Sequence, residues 1–183
     1  MKAVFLDRDG TINIDTGYTY KVEDLRLEQK AIQGLKIMQN LGYLLVIVTG
    51  QSGIGRGFYT EQDYQRFMEK LSSMLEENGI KIVRDYFCPH HPTEGIGKYK
   101  LDCQCRKPKP RLLEKAAKEL KIDLSESWVI GDKTDDIEMG RRAGCRTILV
   151  RTGKAGKDRN FKATPEFSAA NLAEAANYIF KNT

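Results

Sequence analysis

The chain has 183 residues, 40% of them hydrophobic and 30% charged, which suits one domain with a substantial buried core. Thirty basic against 25 acidic residues leave a net charge of +5, which admits an anionic substrate or nucleic acid without arguing for either. No apolar run reaches membrane-spanning length and no signal-peptide pattern opens the chain, so a cytoplasmic protein with no membrane partner is expected.

The first element is the apolar run Val4-Phe5-Leu6, which reads as a buried strand of a parallel sheet. It leads straight into Asp7-Arg8-Asp9-Gly10-Thr11. In extended backbone Asp7 and Asp9 project to the same side, and two such carboxylates repel unless a cation or a proton joins them. Gly10 lets the chain turn there, and Thr11 is expected to add its hydroxyl to the same cavity. An Asp-Gly turn after a strand is common without function, so the motif gains weight only from residues downstream.

Asn13 to Leu27 is polar and aromatic without a period and reads as a loop over the mouth of the site. Ala31, Leu35, Met38 and Leu41 come next at helical spacing, with Gly42 closing that helix. Tyr43 to Val48 is a second buried strand, ending at Thr49-Gly50-Gln51-Ser52-Gly53. Thr60 and Asp63 form a capping box for a helix whose apolar stripe is Tyr64, Phe67, Met68, Leu71 and Leu75. Ile82 to Phe87 is a third strand, followed by a compact insert from Cys88 to Cys105. Pro110 is placed at the first position of a helix that turns Leu113, Ala116, Ala117 and Leu120 to the sheet.

Trp128 to Ile130 is a fourth strand, running into Gly131-Asp132-Lys133-Thr134-Asp135-Asp136. A short helix ends at Gly144, and Cys145 to Val150 is the fifth strand, with Cys145 in the core. Arg151 to Lys162 reads as a solvated basic loop. The last helix starts near Asn171, with Glu174 completing a capping box, and is expected to bury Leu172, Ala176, Ile179 and Phe180. Alternating strands and helices give an α/β fold with a doubly wound, mainly parallel sheet in one domain, 1–183. Ligands bind such a sheet beyond the carboxyl ends of its strands, where the strand order reverses. Asp7, Asp9, Thr49 and Asp132 all come directly after strands and therefore converge.

That set fits hydrolysis of a phosphate monoester, which needs a nucleophile, a cation, an acid for the leaving oxygen and donors for the phosphoryl oxygens. Asp7 is the candidate nucleophile, passing through an aspartyl-phosphate, and Asp9 the acid/base. Asp132 can join Asp7 and the backbone carbonyl of Asp9 on Mg²⁺. Thr49 and the amides after it can bind the phosphoryl group, with Arg106, Lys107, Lys109 and Lys133 as candidate cations. Asp136 reads as an orienting acid and Asp135 as a surface residue. Arg106 to Pro110 could also be a solvated linker, and Asp135 and Asp136 could serve only the helix dipole.

Cys88-Pro89-His90-His91 and Cys103-Gln104-Cys105 supply three thiolates and an imidazole in two close pairs, which suits a closed, structural Zn²⁺ site. His90 is preferred over His91 because it repeats the one-residue gap of the second pair. Buried free cysteines are the bland alternative. The glycines of Gly53–Gly57 and Gly95–Gly97 lack dinucleotide or Walker spacing.

Asp7-Arg8-Asp9-Gly10-Thr11, Thr49, Lys107 and Gly131-Asp132-Lys133 with Asp136 resemble, in order, the four motifs of the haloacid dehalogenase (HAD) superfamily. The zinc loop, the Cys105-Arg106-Lys107-Pro108 run and Val150-Arg151-Thr152-Gly153-Lys154 are similar to its histidinol-phosphatase-like branch. The resemblance implies a capless, Mg²⁺-dependent phosphatase acting on the C7 phosphate of a heptose 1,7-bisphosphate in surface-glycan synthesis; a small capless chain with a covered sheet is expected to be a monomer. It implies Thr49, Arg106 and Lys107 at the phosphoryl group, and Asp7, Asp9 and Asp132 on Mg²⁺. It puts Cys88, His90, Cys103 and Cys105 on zinc. Asp15, Thr16, Gly17, Tyr18, Gly50, Gln51, Ser52 and Lys133 would contact substrate. One departure stands out: Gly50 occupies a position where these proteins usually carry Asn, which bears on the sugar and not on the phosphoryl chemistry. Within enzymes the rivals are a histidinol-phosphate or other small phosphomonoester phosphatase and, more weakly, a polynucleotide phosphatase, for which no stacking surface is evident. From another class, the chain could be a zinc-stabilised binding module with a dead site, which would release no phosphate from any monoester.

Overall fold

Strand β1 (Ala3–Leu6) is buried along its whole length, as its unbroken apolar run requires, in a computed structural model that describes residues 1–183. The chain then forms α1 (Ala31–Asn40), β2 (Leu44–Gly50), the single-turn α2 (Ser52–Gly55), α3 (Glu61–Glu76) and β3 (Ile82–Cys88). After the Cys-rich insert come α4 (Arg111–Leu120), β4 (Trp128–Gly131), α5 (Thr134–Arg142), β5 (Arg146–Val150), β6 (Phe167–Ala169) and α6 (Leu172–Lys181). All six strands are parallel, in the order β3-β2-β1-β4-β5-β6. No helix is long and apolar enough to cross a membrane.

Alternate side chains of β1 serve two cores, as strand geometry dictates. Val4 and Leu6 join Leu35 and Met38 of α1, Phe67 and Leu71 of α3, and Leu172 and Ile179 of α6. Ala3 and Phe5 pack on the other face with Leu113 and Ala116 of α4 and Met139 of α5. The strand order reverses between β1 and β4. Leu6 is in register with Ile47 of β2 and Ile130 of β4, so Asp7 leaves the sheet beside the start of the Gly131-Asp132 turn. The crevice that this topology reserves for ligands opens there.

The capping box of α3 forms with both of its bonds, Thr60 accepting from the Asp63 amide and Asp63 from the Thr60 amide. Four expectations need correction. A sixth strand, β6, extends the sheet. Pro110 is the residue before α4, not its first, and its carbonyl accepts the first helical bonds. At α6 Asn171 caps the Ala173 and Glu174 amides, but Glu174 reaches back to the Ala170 amide rather than to Asn171. Phe180 is 64% exposed, because the sheet face of α6 is already filled by Leu172, Ala175, Ala176 and Ile179.

Helices α1 and α6 touch backbone to backbone at Gly34. A Cβ built there falls 2.4 Å from the carbonyl carbon and oxygen of Leu172, neither of which can rotate away. Gly34→Ala is therefore expected to cost about 1–3 kcal/mol. For a chain of this size that lowers the thermal midpoint by roughly 2–4 °C per kcal/mol, readable by circular dichroism. An unshifted midpoint would show that the helices can separate freely.

Candidate active site

β1 delivers Asp7 to the floor of a cavity of about 150 Å³ lined by Asp9, Thr49, Gly50, Ser52, Cys88, Arg106, Lys107, Lys133, Asp135 and Asp136 as well. Asp7 is only 5% exposed, and its amide donates to the Ile130 carbonyl at 2.9 Å, fixing it against β4. The Lys107 ammonium lies 2.9 Å from Asp7 Oδ1 and 2.6 Å from Asp136 Oδ1, joining the two acids. Asp136 in turn accepts from the Lys133 amide at 3.1 Å, so it orients Lys107 and closes the first turn of α5. Burial works to raise the Asp7 carboxyl, but the charges of Lys107 and Lys133 outweigh it and hold the group below its ordinary value. Asp7 is thus an ionised, desolvated carboxylate.

The acids that meet at one point are Asp7, Asp132 and Asp136, whose oxygens lie within 4.8 Å of one another. Burial, and then the charge of Asp7, push Asp132 up to about 8. Its Oδ2 accepts from the Lys154 amide at 2.6 Å, while its Oδ1 is buried without a partner. Crowded carboxylates with an unpartnered oxygen fit a hard divalent cation, which would supply the missing positive charge. The Asp9 side chain lines the same cavity but stands apart from this trio. Its Oδ1 accepts from Arg8 Nε at 3.0 Å and from Asn13 Nδ2 at 2.9 Å, and its Oδ2 from Arg8 Nη2 at 2.8 Å and Gln51 Nε2 at 3.0 Å. Only its backbone carbonyl remains as the expected metal contact.

Arg8, unassigned by sequence reasoning, is fully buried. Its guanidinium lies 4.4 Å from the Phe67 ring centroid and 5.6 Å from that of Tyr64, and Nη2 also donates to the Thr19 carbonyl at 2.6 Å. The only signal for it was an arginine set between two aspartates.

Several other expectations change. Thr11 is buried away from the cavity. Lys109 is drawn off by Asp102 at 2.6 Å and the Cys103 carbonyl at 3.0 Å, so it is not a site cation. Asp135 is half-buried in the cavity wall, not on the surface, and accepts from Asn160. The 151–162 loop is structural: Thr152 donates to the Gly10 carbonyl at 2.6 Å, and Asp158 caps the Thr134 amide at 3.0 Å. Gly10, at φ +80°, and Gly153 meet so closely that a Cβ on either would strike Asp132. No local pattern announces a contact between positions 10 and 153.

A second chamber of about 310 Å³ adjoins the first, sharing Asp9, Gly50, Ser52 and Lys133 with it. Asp15, Gly17, Tyr18, Gln51, Tyr59 and Lys154 complete its lining. Of the residues expected at substrate, Thr16 is not in the wall; its amide and hydroxyl instead bond the Thr19 hydroxyl. Nothing lies within 4 Å of a Cβ added at Gly50, so its missing side chain leaves open space between the chambers.

Cys88, at the end of β3, meets His90, Cys103 and Cys105. The Sγ atoms lie 3.1–3.4 Å apart, and His90 Nδ1 is 3.4 Å from Cys105 and 3.8 Å from Cys88. A tetrahedron with Zn–S bonds of about 2.3 Å has S···S edges of about 3.8 Å, so a small outward movement would admit the ion. The contact between Cys88 and Cys105 lowers the Cys105 thiol to about 5 and raises that of Cys88, so the cluster readily holds one thiolate and would release further protons on binding a metal. His91 is turned to the Thr93 and Glu94 amides instead. Arg106, next in sequence, donates to the His90 carbonyl at 3.3 Å, and Lys107 leads directly into the acid cluster.

Residues 104–175 match the family model for HAD-hydrolase-like proteins. The D-glycero-beta-D-manno-heptose-1,7-bisphosphate 7-phosphatase of Haemophilus ducreyi is 47% identical over 84% of this chain and 85% of that protein. The alpha-heptose counterpart from Photorhabdus laumondii is 44% identical over 84% of each. Among solved structures, the D,D-heptose 1,7-bisphosphate phosphatase of B. bronchiseptica, complexed with magnesium and phosphate, is 25% identical, covers all of both chains and superposes with a TM-score of 0.87.

Proposed function

The chain belongs to the heptose-1,7-bisphosphate 7-phosphatase family of HAD-like phosphoric monoester hydrolases, and from that premise we propose that it removes the C7 phosphate of D-glycero-D-manno-heptose 1,7-bisphosphate through an aspartyl-phosphate on Asp7, for use in surface-glycan synthesis. The observation that carries this reading is the buried Asp7 carboxylate, held by Lys107 at 2.9 Å on the floor of the inner cavity.

Asp7 attacks phosphorus, and Asp9 gives a proton to the sugar oxygen that leaves. Asp9 then takes a proton from the water that hydrolyses the phosphoenzyme. Thr49 Oγ1 accepts from Gln51 at 2.8 Å, which leaves its own proton for a phosphoryl oxygen. Lys107 and Arg106 set positive charge against the same oxygens. Asp7, Asp132 and the Asp9 carbonyl would hold Mg²⁺, which when bound offsets the crowded negative charge of acids and phosphate. Cys88, His90, Cys103 and Cys105 would hold Zn²⁺ as a structural clamp. The outer chamber takes the sugar, with Lys133 and Lys154 on its wall available to the phosphate that stays on the product.

Phosphate release tests the reading. With Mg²⁺ present, kcat/KM for heptose 1,7-bisphosphate, assayed as both anomers, is expected to exceed that for histidinol phosphate by at least about 10²-fold. Omitting Mg²⁺ should abolish release and adding it back restore it. A preference for histidinol phosphate, or activity indifferent to Mg²⁺, would overturn it.

A further inference from the structure

Tyr59 lies between α2 and α3 and is buried at the back of the outer chamber. Its ring stacks on Tyr20, with centroids 4.7 Å apart and planes 9° from parallel. Gly53 lets it sit closer still to the turn below: a Cβ there would fall 2.2 Å from the ring. The phenol is thereby fixed, and its hydroxyl donates to Gln51 Oε1 at 2.6 Å. Burial pushes that phenol far above its ordinary range, so it keeps the proton that it gives to Gln51 here.

A donor on that side decides which way the Gln51 amide faces. With its oxygen toward Tyr59, its NH₂ points at Asp9 Oδ2, 3.0 Å away, and at Thr49 Oγ1, 2.8 Å away. Reversed, the amide would set its oxygen against the Asp9 carboxylate, a repulsive contact in a buried place, and the phenol would have to turn its proton away from Gln51 to accept instead. Arg8 and Asn13 hold Asp9 from its other sides.

We propose that Tyr59 is a positioning residue for hydrolysis, orienting the Gln51 amide so that Asp9 meets the leaving oxygen and Thr49 keeps its proton for the phosphoryl group. The inference rests on the phosphatase mechanism proposed for Asp7 and Asp9. In the step concerned, a bond forms between an Asp7 oxygen and phosphorus while the bond from phosphorus to the sugar oxygen breaks. The electron pair of the broken bond stays on the sugar oxygen, which takes the proton of Asp9.

The test is a double-mutant cycle with Tyr59→Phe, Gln51→Ala and the pair, on two substrates. Heptose bisphosphate leaves as a poor alkoxide that needs the proton; p-nitrophenyl phosphate leaves without one. Tyr59→Phe is expected to lower kcat/KM on the sugar about tenfold and to affect kcat/KM for the aryl ester far less, because kcat/KM stops at phosphoenzyme formation and leaves out the later water step that both substrates share. In the Gln51→Ala background the same change should cost less than about twofold, since there is no amide left to orient. Equal losses on both substrates, or a full loss persisting without Gln51, would overturn the proposal. Should Tyr59→Phe melt well below wild type, Gln51→Met serves instead: its thioether has no N–H to give Asp9, so the same leaving-group bias is expected, and its absence would count against the role. An Asp9→Asn enzyme without that bias would instead sink the underlying mechanism, which keeps the two failures separate.

Discussion

Asp7→Asn is expected to lower kcat for phosphate release by about 10⁴-fold or more while leaving the fold intact. The amide is nearly the same size, so the cavity floor keeps its shape, but it has no charge with which to attack phosphorus. Lys107 retains Asp136 at 2.6 Å and is not stranded. Removing one of three mutually repelling acids also relieves Asp132, whose protonation is driven partly by the charge of Asp7. The thermal midpoint without metal should therefore move by only a few degrees, on the order of 1 kcal/mol of stability. Steady-state phosphate release and acid trapping of a phosphoenzyme, present in wild type and missing in the variant, check both halves. An Asp7→Asn enzyme with more than about a hundredth of wild-type kcat would place the nucleophile elsewhere.

Loss of the zinc cage should have the second largest effect, and it should reach the chemistry. Cys105 is one of the four residues that would hold the zinc and is followed immediately by Arg106 and Lys107. The insert it closes has little core of its own, so a bound zinc would be what pins it. Elemental analysis is expected to find about one zinc per chain in wild type and much less in Cys105→Ser. The substitution should cost about 3 kcal/mol or more, which at roughly 2–4 °C per kcal/mol brings the midpoint down by about 10 °C. Activity below that midpoint should fall as well, because Lys107 no longer reaches Asp7 from a fixed anchor. A variant that keeps full activity after losing zinc would separate the cage from the cation it precedes.

Much of this architecture is legible in the sequence because its signals are local. Five strands announce themselves as apolar runs ended by polar turns, and Thr60 with Asp63 marks the start of α3. The acids after β1 and β4 can be placed together from topology alone. β6 escapes because three residues, Phe167 to Ala169, are too few to show a period. The Thr152, Gly153 and Lys154 contacts escape for a different reason: they depend on Gly10 and Asp132, which only the folded chain brings near. Strand alternation, extended past Leu6, puts Asp9 on the same side as Asp7. The regular strand stops at Leu6, however, and the buried Arg8 draws the Asp9 carboxylate to itself instead. Phe180 has the spacing of an apolar stripe whose share of the sheet is already occupied.

The jump from β3 back to the middle of the sheet also governs how the protein can be made. A ribosome releases β1, β2 and β3 first, and they can pair at once. Yet one side of β1 stays bare until Trp128–Gly131 has left the exit tunnel. For most of synthesis a wholly apolar strand presents open hydrogen-bonding groups, an invitation to pair with another nascent chain. Expression of the first half alone should therefore yield aggregates, and holdase chaperones should be most needed just before β4 emerges.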